Sequence, residues 1–315
     1  IDGSNLTGIS SFTKNANDPA GNTNPAGGVG TIWANTTSGE LYVLTDATTN
    51  ANVWTNVGDG TGFQTSAATG GTITTDGDYK VHSFTSSGTF TVTDNTSTFD
   101  LLLIAGGGAS GASNITSGYS TERAGGGGAG GYRSFTGISS LSNQAYTITI
   151  GGGGAASSTY VSTDGTNSSA LGYSSTGGGA SGYNSRTNNA GVTGGSGGGG
   201  GSGGGTGQSG GTGNAGSYSP VEGYAGGSGN SFANAGGGGG SSSAGSSNVS
   251  SGGGGAGTSN SITGSAVTRA AGGNVIGNVN GGANTGDGAG GNSVNSIGGQ
   301  PSGGSGVVII RYKFQ

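Results

Sequence analysis

The chain has 315 residues, 82 of them glycine, with four prolines, no cysteine, no methionine and a net charge of −5. Collagen is excluded, because it needs glycine at every third position and abundant proline, whereas these glycines come in runs broken by Ser, Ala or Thr. Without cysteine there are no disulfides, and without a run of 18 apolar residues no segment reads as a membrane-spanning helix.

Charge is unevenly placed. Asp2, Asp18, Glu40, Asp46, Asp59, Asp76, Asp78, Asp94 and Asp100 crowd the first hundred residues. From Ala105 to Gly306, Glu122, Asp164, Glu222 and Asp287 balance Arg123, Arg133, Arg186 and Arg269. Glycine-rich composition by itself suggests disorder, but disordered chains usually carry net charge, and this stretch carries none. No basic stripe exists to neutralise phosphates, so nucleic-acid binding is not expected, and the lack of a long apolar run argues against membrane insertion.

In chain order, residues 1–28 are polar and read as a linker or attachment segment; a start at Ile1 rather than Met suggests a fragment or a processed product. Residues 29–64 read as a small β module with strands in "TIWAN" (31–35), "ELYVLTD" (40–46) and "NVWTNVG" (52–58). "TTSGE" (36–40) supplies a hairpin turn with Gly39 available for positive φ, and Trp33, Tyr42 and Trp54 are expected to form one aromatic cluster. Residues 65–315 read as a glycine-rich domain. "YKVHSFTSSGTFTVTD" (79–94) alternates around "SSG", the pattern of a second hairpin. "FDLLLIAG" (99–106) is a continuous apolar run, as in a strand buried on both faces. Further strands are expected in "AYTITI" (145–150) and "GVVIIRYKF" (306–314). The last needs a partner, and 99–105 and 145–150 are the best candidates.

If those strands pair, residues 106–305 form a closed excursion from a β framework. Its glycine tracts, among them 125–131, 151–154, 194–205 and 236–240, suggest extended helices with three residues per turn and about 3.1 Å rise, the polyglycine-II form. Such rods have no internal hydrogen bonds, so each amide and carbonyl must find a neighbouring rod or water. The expected fold class is mainly β plus irregular: a small N-terminal β module, then a β framework carrying a packed polyglycine-II bundle with surface loops, and essentially no α-helix.

Several segments resemble the glycine-rich domain found near the C-termini of bacteriophage tail-fibre and adhesin proteins. They are "FDLLLIAGGGASG", "AGGGGAGGYRSFTGISSLSNQAYTITIGGGG", "NSSALGYSSTGGGASG" and the closing "GGSGVVIIRY". "VGTIWANTTSGELYVLTDATTNANVWTNVGDGTG" also looks like a small β module of phage tail structural proteins. The resemblance implies a non-enzymatic receptor-binding protein at a tail-fibre tip of the virion. Its partners would be a bacterial surface receptor (glycan or outer-membrane protein), other tail-fibre or baseplate subunits, and copies of itself in a homotrimer. The N-terminal half departs from the related adhesins, so attachment and oligomeric state do not transfer. The alternative reading is an extracellular filament or matrix protein whose rods bond between chains.

Motifs for chemistry are weak. Gly195, Gly197 and Gly200 match GxGxxG without a βαβ context, and residues 194–198 match a nucleophile elbow without its strand and helix. His82 is the sole histidine and reads as an ordinary strand residue. "TTDGD" (74–78) and "VGDGTG" (57–62) offer oxygen ligands for calcium, yet Asp-Gly is also common turn chemistry. No catalytic residue, metal or cofactor is expected. The loops are better candidates, because they combine Tyr or Phe with Ser, Asn and Gly as antibody paratopes do. Tyr119, Tyr183, Tyr218, Tyr224 and Phe232, with Arg186 as a polar contact, are the expected receptor-binding residues. The competing reading is that each aromatic packs against its own rods.

Overall fold

The structure, a computed structural model, describes residues 12–57, 67–94, 98–112, 123–139, 141–155, 162–182, 190–203, 207–230, 233–292 and 300–313. They divide between Thr65 and Ser66 into two compact units. Among the described residues no α-helix forms.

The first unit is a four-stranded sheet of β1 (Phe12–Asn15), β2 (Ile32–Asn35), β3 (Leu41–Asp46) and β4 (Val53–Asn56), in that order. β1 runs parallel to β2 and the other pairs are antiparallel. Residues 12–15, polar enough to read as linker, become a strand because β2 offers them an edge. The 36–40 turn forms with Gly39 at φ 79°, and Asn35 Oδ1 accepts the amides of Thr37 and Ser38 at 2.8 and 3.0 Å. Trp33 and Trp54 meet edge to face at 5.8 Å. Tyr42 sits opposite Trp33 in the ladder, with its hydroxyl donating to Glu40 at 2.9 Å.

The second unit begins with β5 (Ala67–Thr69), β6 (Thr72–Asp76), β7 (Tyr79–Phe84), β8 (Gly88–Asp94) and β9 (Phe99–Ile104). It continues through β10 (Tyr132–Ile138), β11 (Ala145–Ile148), and the pair β12 (Ser168–Ala170) and β13 (Tyr173–Ser175). The pair β14 (Thr258–Asn260) and β15 (Val267–Arg269) follows, and β16 (Val307–Lys313) closes the unit. A five-stranded sheet has the order β10-β9-β16-β7-β6, and a three-stranded sheet the order β11-β8-β5.

Two strand pairings differ from the sequence reading. β7 and β8 do not pair across "SSG"; they belong to different sheets, so Thr85, Ser86 and Ser87 form a corner of a sandwich. The alternation in 79–94 still holds, because His82 and Phe84 from one sheet meet Phe90 from the other at 5.1 and 6.4 Å. Likewise 145–148 pairs with β8, not with the C-terminal strand. β16 instead lies between β9 and β7. A strand apolar on both faces requires a central position, and "AYTI", with only Ile148 buried, does not.

The five-stranded sheet is a middle layer. Leu101, Leu103, Val308, Ile310 and Tyr312 pack with Phe90, Val92 and Ile148 of the smaller sheet. The opposite face, Val81, Leu102, Ile104, Val307 and Ile309, packs against Ala129, Ala270 and Ile262 of the glycine-rich region. Each fully buried Leu or Ile contributes about 1.5–3 kcal/mol, so both faces of β9 and β16 stabilise the framework.

In the glycine-rich region the lateral hydrogen bonds repeat every third residue. Gly125, Gly128 and Gly131 donate to Gly182, Gly179 and Thr176; Gly126 and Ala129 donate to Gly236 and Gly239; Gly127 and Gly130 donate to Ala289 and Gly286, all at 2.8–3.1 Å. One tract thus bonds to three neighbours in rotation. The tract at 194–203 does the same, with Ser196, Gly199 and Ser202 donating to Ala129, Gly126 and Arg123, and Gly197, Gly200 and Gly203 to Tyr224, Gly227 and Asn230. Neighbours this close leave no room for Cβ atoms. A methyl group on Gly127 would overlap the Gly108 carbonyl, and one on Gly238 the Gly127 carbonyl.

Gly127→Ala and Gly238→Ala are therefore expected to destabilise the unit by about 2 kcal/mol or more, the range of core overpacking. Gly152→Ala, whose methyl would meet only Thr166 Oγ1 at 3.9 Å, should change stability by less than about 1 kcal/mol. Thermal melts of the three variants check the contrast.

His82 gives a pH dependence. Its ring is buried; a carbonyl only accepts, so Nδ1 carries the proton and donates to Gly70 O at 2.7 Å. Nε2 faces the Tyr312 hydroxyl at 3.3 Å, and that oxygen accepts the Ala68 amide at 3.0 Å. Burial, reinforced by the Lys80 charge, holds the imidazole pKa below its usual value against the opposing Gly70 bond. The unfolded chain then binds the proton more readily, so this stabilisation is complete above about pH 6.5 and is lost as pH falls toward the folded pKa. The melting temperature should drop between pH 7.5 and 5.5, and a His82→Phe variant should lose that slope.

Candidate functional site

The tracts run between two unlike ends. At one end the chain enters and leaves the β framework: Ala105 donates to Gly131, Gly306 to Gly151, and Gly131 to Thr176. At the other, the residues flanking the loops bond to one another. Ser110 donates to Pro301 from its amide and to Gly125 from its hydroxyl; Gly125 donates to Gly182, and Gly182 to Gly199. Ser202 donates to Arg123 and Gly203 to Asn230. Arg123 Nη1 reaches Ser250 O at 2.7 Å, and Asn292 Nδ2 donates to Gln300 at 2.7 Å. The bases of the segments 113–122, 183–189, 204–206, 231–232 and 293–299 thus share one hydrogen-bonded platform.

This arrangement sorts the expected receptor-binding residues into two groups. Tyr119, Tyr183, Arg186 and Phe232 lie outside the described residues, in segments whose flanks stand on the platform. Tyr218 and Tyr224 belong to the framework end. Tyr224 is 41% exposed, and its amide donates to Gly240 while its carbonyl accepts from Gly197. It stands six positions before Asn230, which accepts the Gly203 amide at the platform.

Tyr218 is held internally. Its ring lies under the Arg133 guanidinium at 3.7 Å, with Phe135 on the same guanidinium at 4.8 Å. Its hydroxyl bonds Ser174 Oγ at 2.8 Å, and Arg133 Nη1 donates to Ser174 O at 2.7 Å. Glu222 anchors the same loop from inside: it is fully buried, and its carboxylate accepts the amides of Thr176 and Gly216 at 2.9 and 3.1 Å. A buried carboxylate is costly without such donors, so the loop over 214–222 is fixed to the start of the 176–182 tract. Tyr132, Arg133, Ser134, Phe135, Pro220 and Val221 line a cavity of about 240 Å³ beside it. Nearby, burial raises the Tyr132 pKa and lowers that of Arg269. In the sequence, Arg133 and Glu222 are marked only by isolation, as single charges in a stretch nearly free of them.

The remaining motifs have structural settings. Ser196 is buried within its tract, with its amide on Ala129 O. Asp76 and Asp78 flank Gly77 (φ 54°) in the β6–β7 turn, and Asp78 lies 3.7 Å from Lys313 Nζ. "VGDGTG" lies largely outside the described residues. Among the described residues no three His, Cys, Asp or Glu side chains gather into a metal-binding group.

Tyr218→Ala should release the 214–222 loop, speeding amide exchange at Gly216 and Thr176 by about tenfold, the loss of roughly one hydrogen bond's net contribution. Gly127 and Gly238 amides should keep their wild-type rates, as hydrogen-exchange NMR can check.

A comparison with curated proteins finds no match. The family model described as glycine-rich domain matches residues 84–313, which takes in most of the framework strands and every glycine tract that they enclose. The chain belongs to the glycine-rich domain family.

Proposed function

We propose that this protein is the receptor-binding tip of a bacteriophage tail fibre or adhesin, and that its tracts are polyglycine-II rods. The period of three in the lateral hydrogen bonds supports the rod assignment, since three residues per turn aim successive amides at three neighbours. The observation that carries the display reading is the platform. Five loop bases are bonded together at the end of the bundle away from the framework. The loops rooted there hold Tyr119, Tyr183, Arg186 and Phe232 among Ser, Asn and Gly, a composition suited to adaptable contacts with a glycan or an outer-membrane protein. Loops are where binding residues concentrate when a rigid scaffold supports them. Several copies per virion would strengthen weak individual contacts.

The test is adsorption of the purified chain to bacterial strains. Binding should be strain-selective. A Tyr183→Ala, Arg186→Ala double variant should weaken it about tenfold or more with an unchanged melt, an interface hot-spot effect. Tyr218→Ala should leave adsorption unaltered. Polymerisation of the chain without strain preference would instead favour an extracellular filament.

A further inference from the structure

We propose that a collar of three buried serines, Ser110, Ser181 and Ser202, with the half-buried Arg123, positions the loop bases at the platform. This rests on the display reading above. All three serines are buried, and each stands near the outer end of a tract, in "GGGASG" at 106–111 and 177–182 and "GGSGG" at 200–204. Burying a hydroxyl is unfavourable unless it is bonded, and alanine is accommodated at the adjacent Ala109 and Ala180. The hydroxyls therefore need a reason, and each has a partner on another segment. Ser110 Oγ donates to Gly125 O at 3.1 Å, Ser181 Oγ accepts the Gly111 amide at 2.9 Å, and Ser202 Oγ accepts the Arg123 amide at 2.7 Å.

Arg123 is the junction. Its amide and carbonyl are both engaged by Ser202, through Oγ and the amide, and its guanidinium donates to Ser250 O. It thereby ties together the base of its own loop, the base of 204–206 and the turn at 249–252. Lateral backbone bonds hold each tract beside its neighbours, but because they repeat every third residue, a slide by three residues would re-form the same bonds, and glycine alone does not choose among such registers. Hydroxyl-to-amide bonds at the tract ends set that register, and with it the height at which each loop stands.

Removing one hydroxyl tests this in the full chain. Ser202→Ala should raise amide exchange at Arg123 about tenfold while Gly127 and Gly238 stay protected; Ser181→Ala should do the same at Gly111. Both should weaken adsorption to the host strain about tenfold. Ser243→Ala, which removes a hydroxyl bonded to the Ala256 amide at the framework end, should leave adsorption unchanged. Unaltered exchange at Arg123 and Gly111 would overturn the collar, as would faster exchange there with undiminished adsorption. If the wild-type chain adsorbs to no strain, the display reading falls and the exchange rates alone decide the collar.

Discussion

Everything in the larger unit depends on peptide groups bonding sideways in three directions at once. A β-strand satisfies its backbone toward two neighbours and an α-helix within itself, whereas a tract such as 124–131 reaches three different segments in turn. That geometry tolerates no side chain on most residues, because the space a Cβ would fill is already occupied by a neighbouring carbonyl. Glycine here is a packing requirement. The flexibility that it brings to an unfolded chain is a cost the fold has to offset.

The β framework offsets part of that cost and fixes where the excursion starts and stops. β9 delivers the chain into the bundle, the chain returns to the sheets at β10 and β11, and β16 receives it for the last time about two hundred residues after β9; β9 and β16 lie side by side inside one sheet. One face of that sheet closes an ordinary apolar sandwich and the other face seats the bundle. Loop-closure entropy grows only logarithmically with length, so a long excursion is tolerated once its ends are clamped. The His82, Tyr312 and Ala68 chain of hydrogen bonds reinforces the clamp by joining β7, β16 and β5.

The bundle's two ends are chemically different. The framework end uses aromatic and charged anchors, with Arg133 between Tyr218 and Phe135 and the Glu222 carboxylate on backbone amides. The platform end has backbone bonds, small hydroxyl groups, one arginine and the Asn292–Gln300 pair. Segments of similar composition therefore have different settings: the one at 214–222 is bound down over the framework, while 113–122 and 183–189 have their flanking residues on the platform. Composition could not separate them, since tyrosine beside serine, asparagine and glycine describes both.

The sequence by itself determined the materials. The aromatic pair Trp33 and Trp54, the turn at Gly39, the doubly buried strand at 99–104 and the need for lateral partners along the glycine tracts all follow from local composition and periodicity. It could not assign the partners of 79–84 and 88–94, because an alternating strand pair reads alike whether it folds back on itself or turns a sandwich corner. Nor could it say which tract lies beside which, since glycine runs carry no side chains to tell one neighbour from another. Only the tertiary structure decided that, and with it the division of the loops between two ends, because the bonds that choose the neighbours are made by backbone atoms common to every residue.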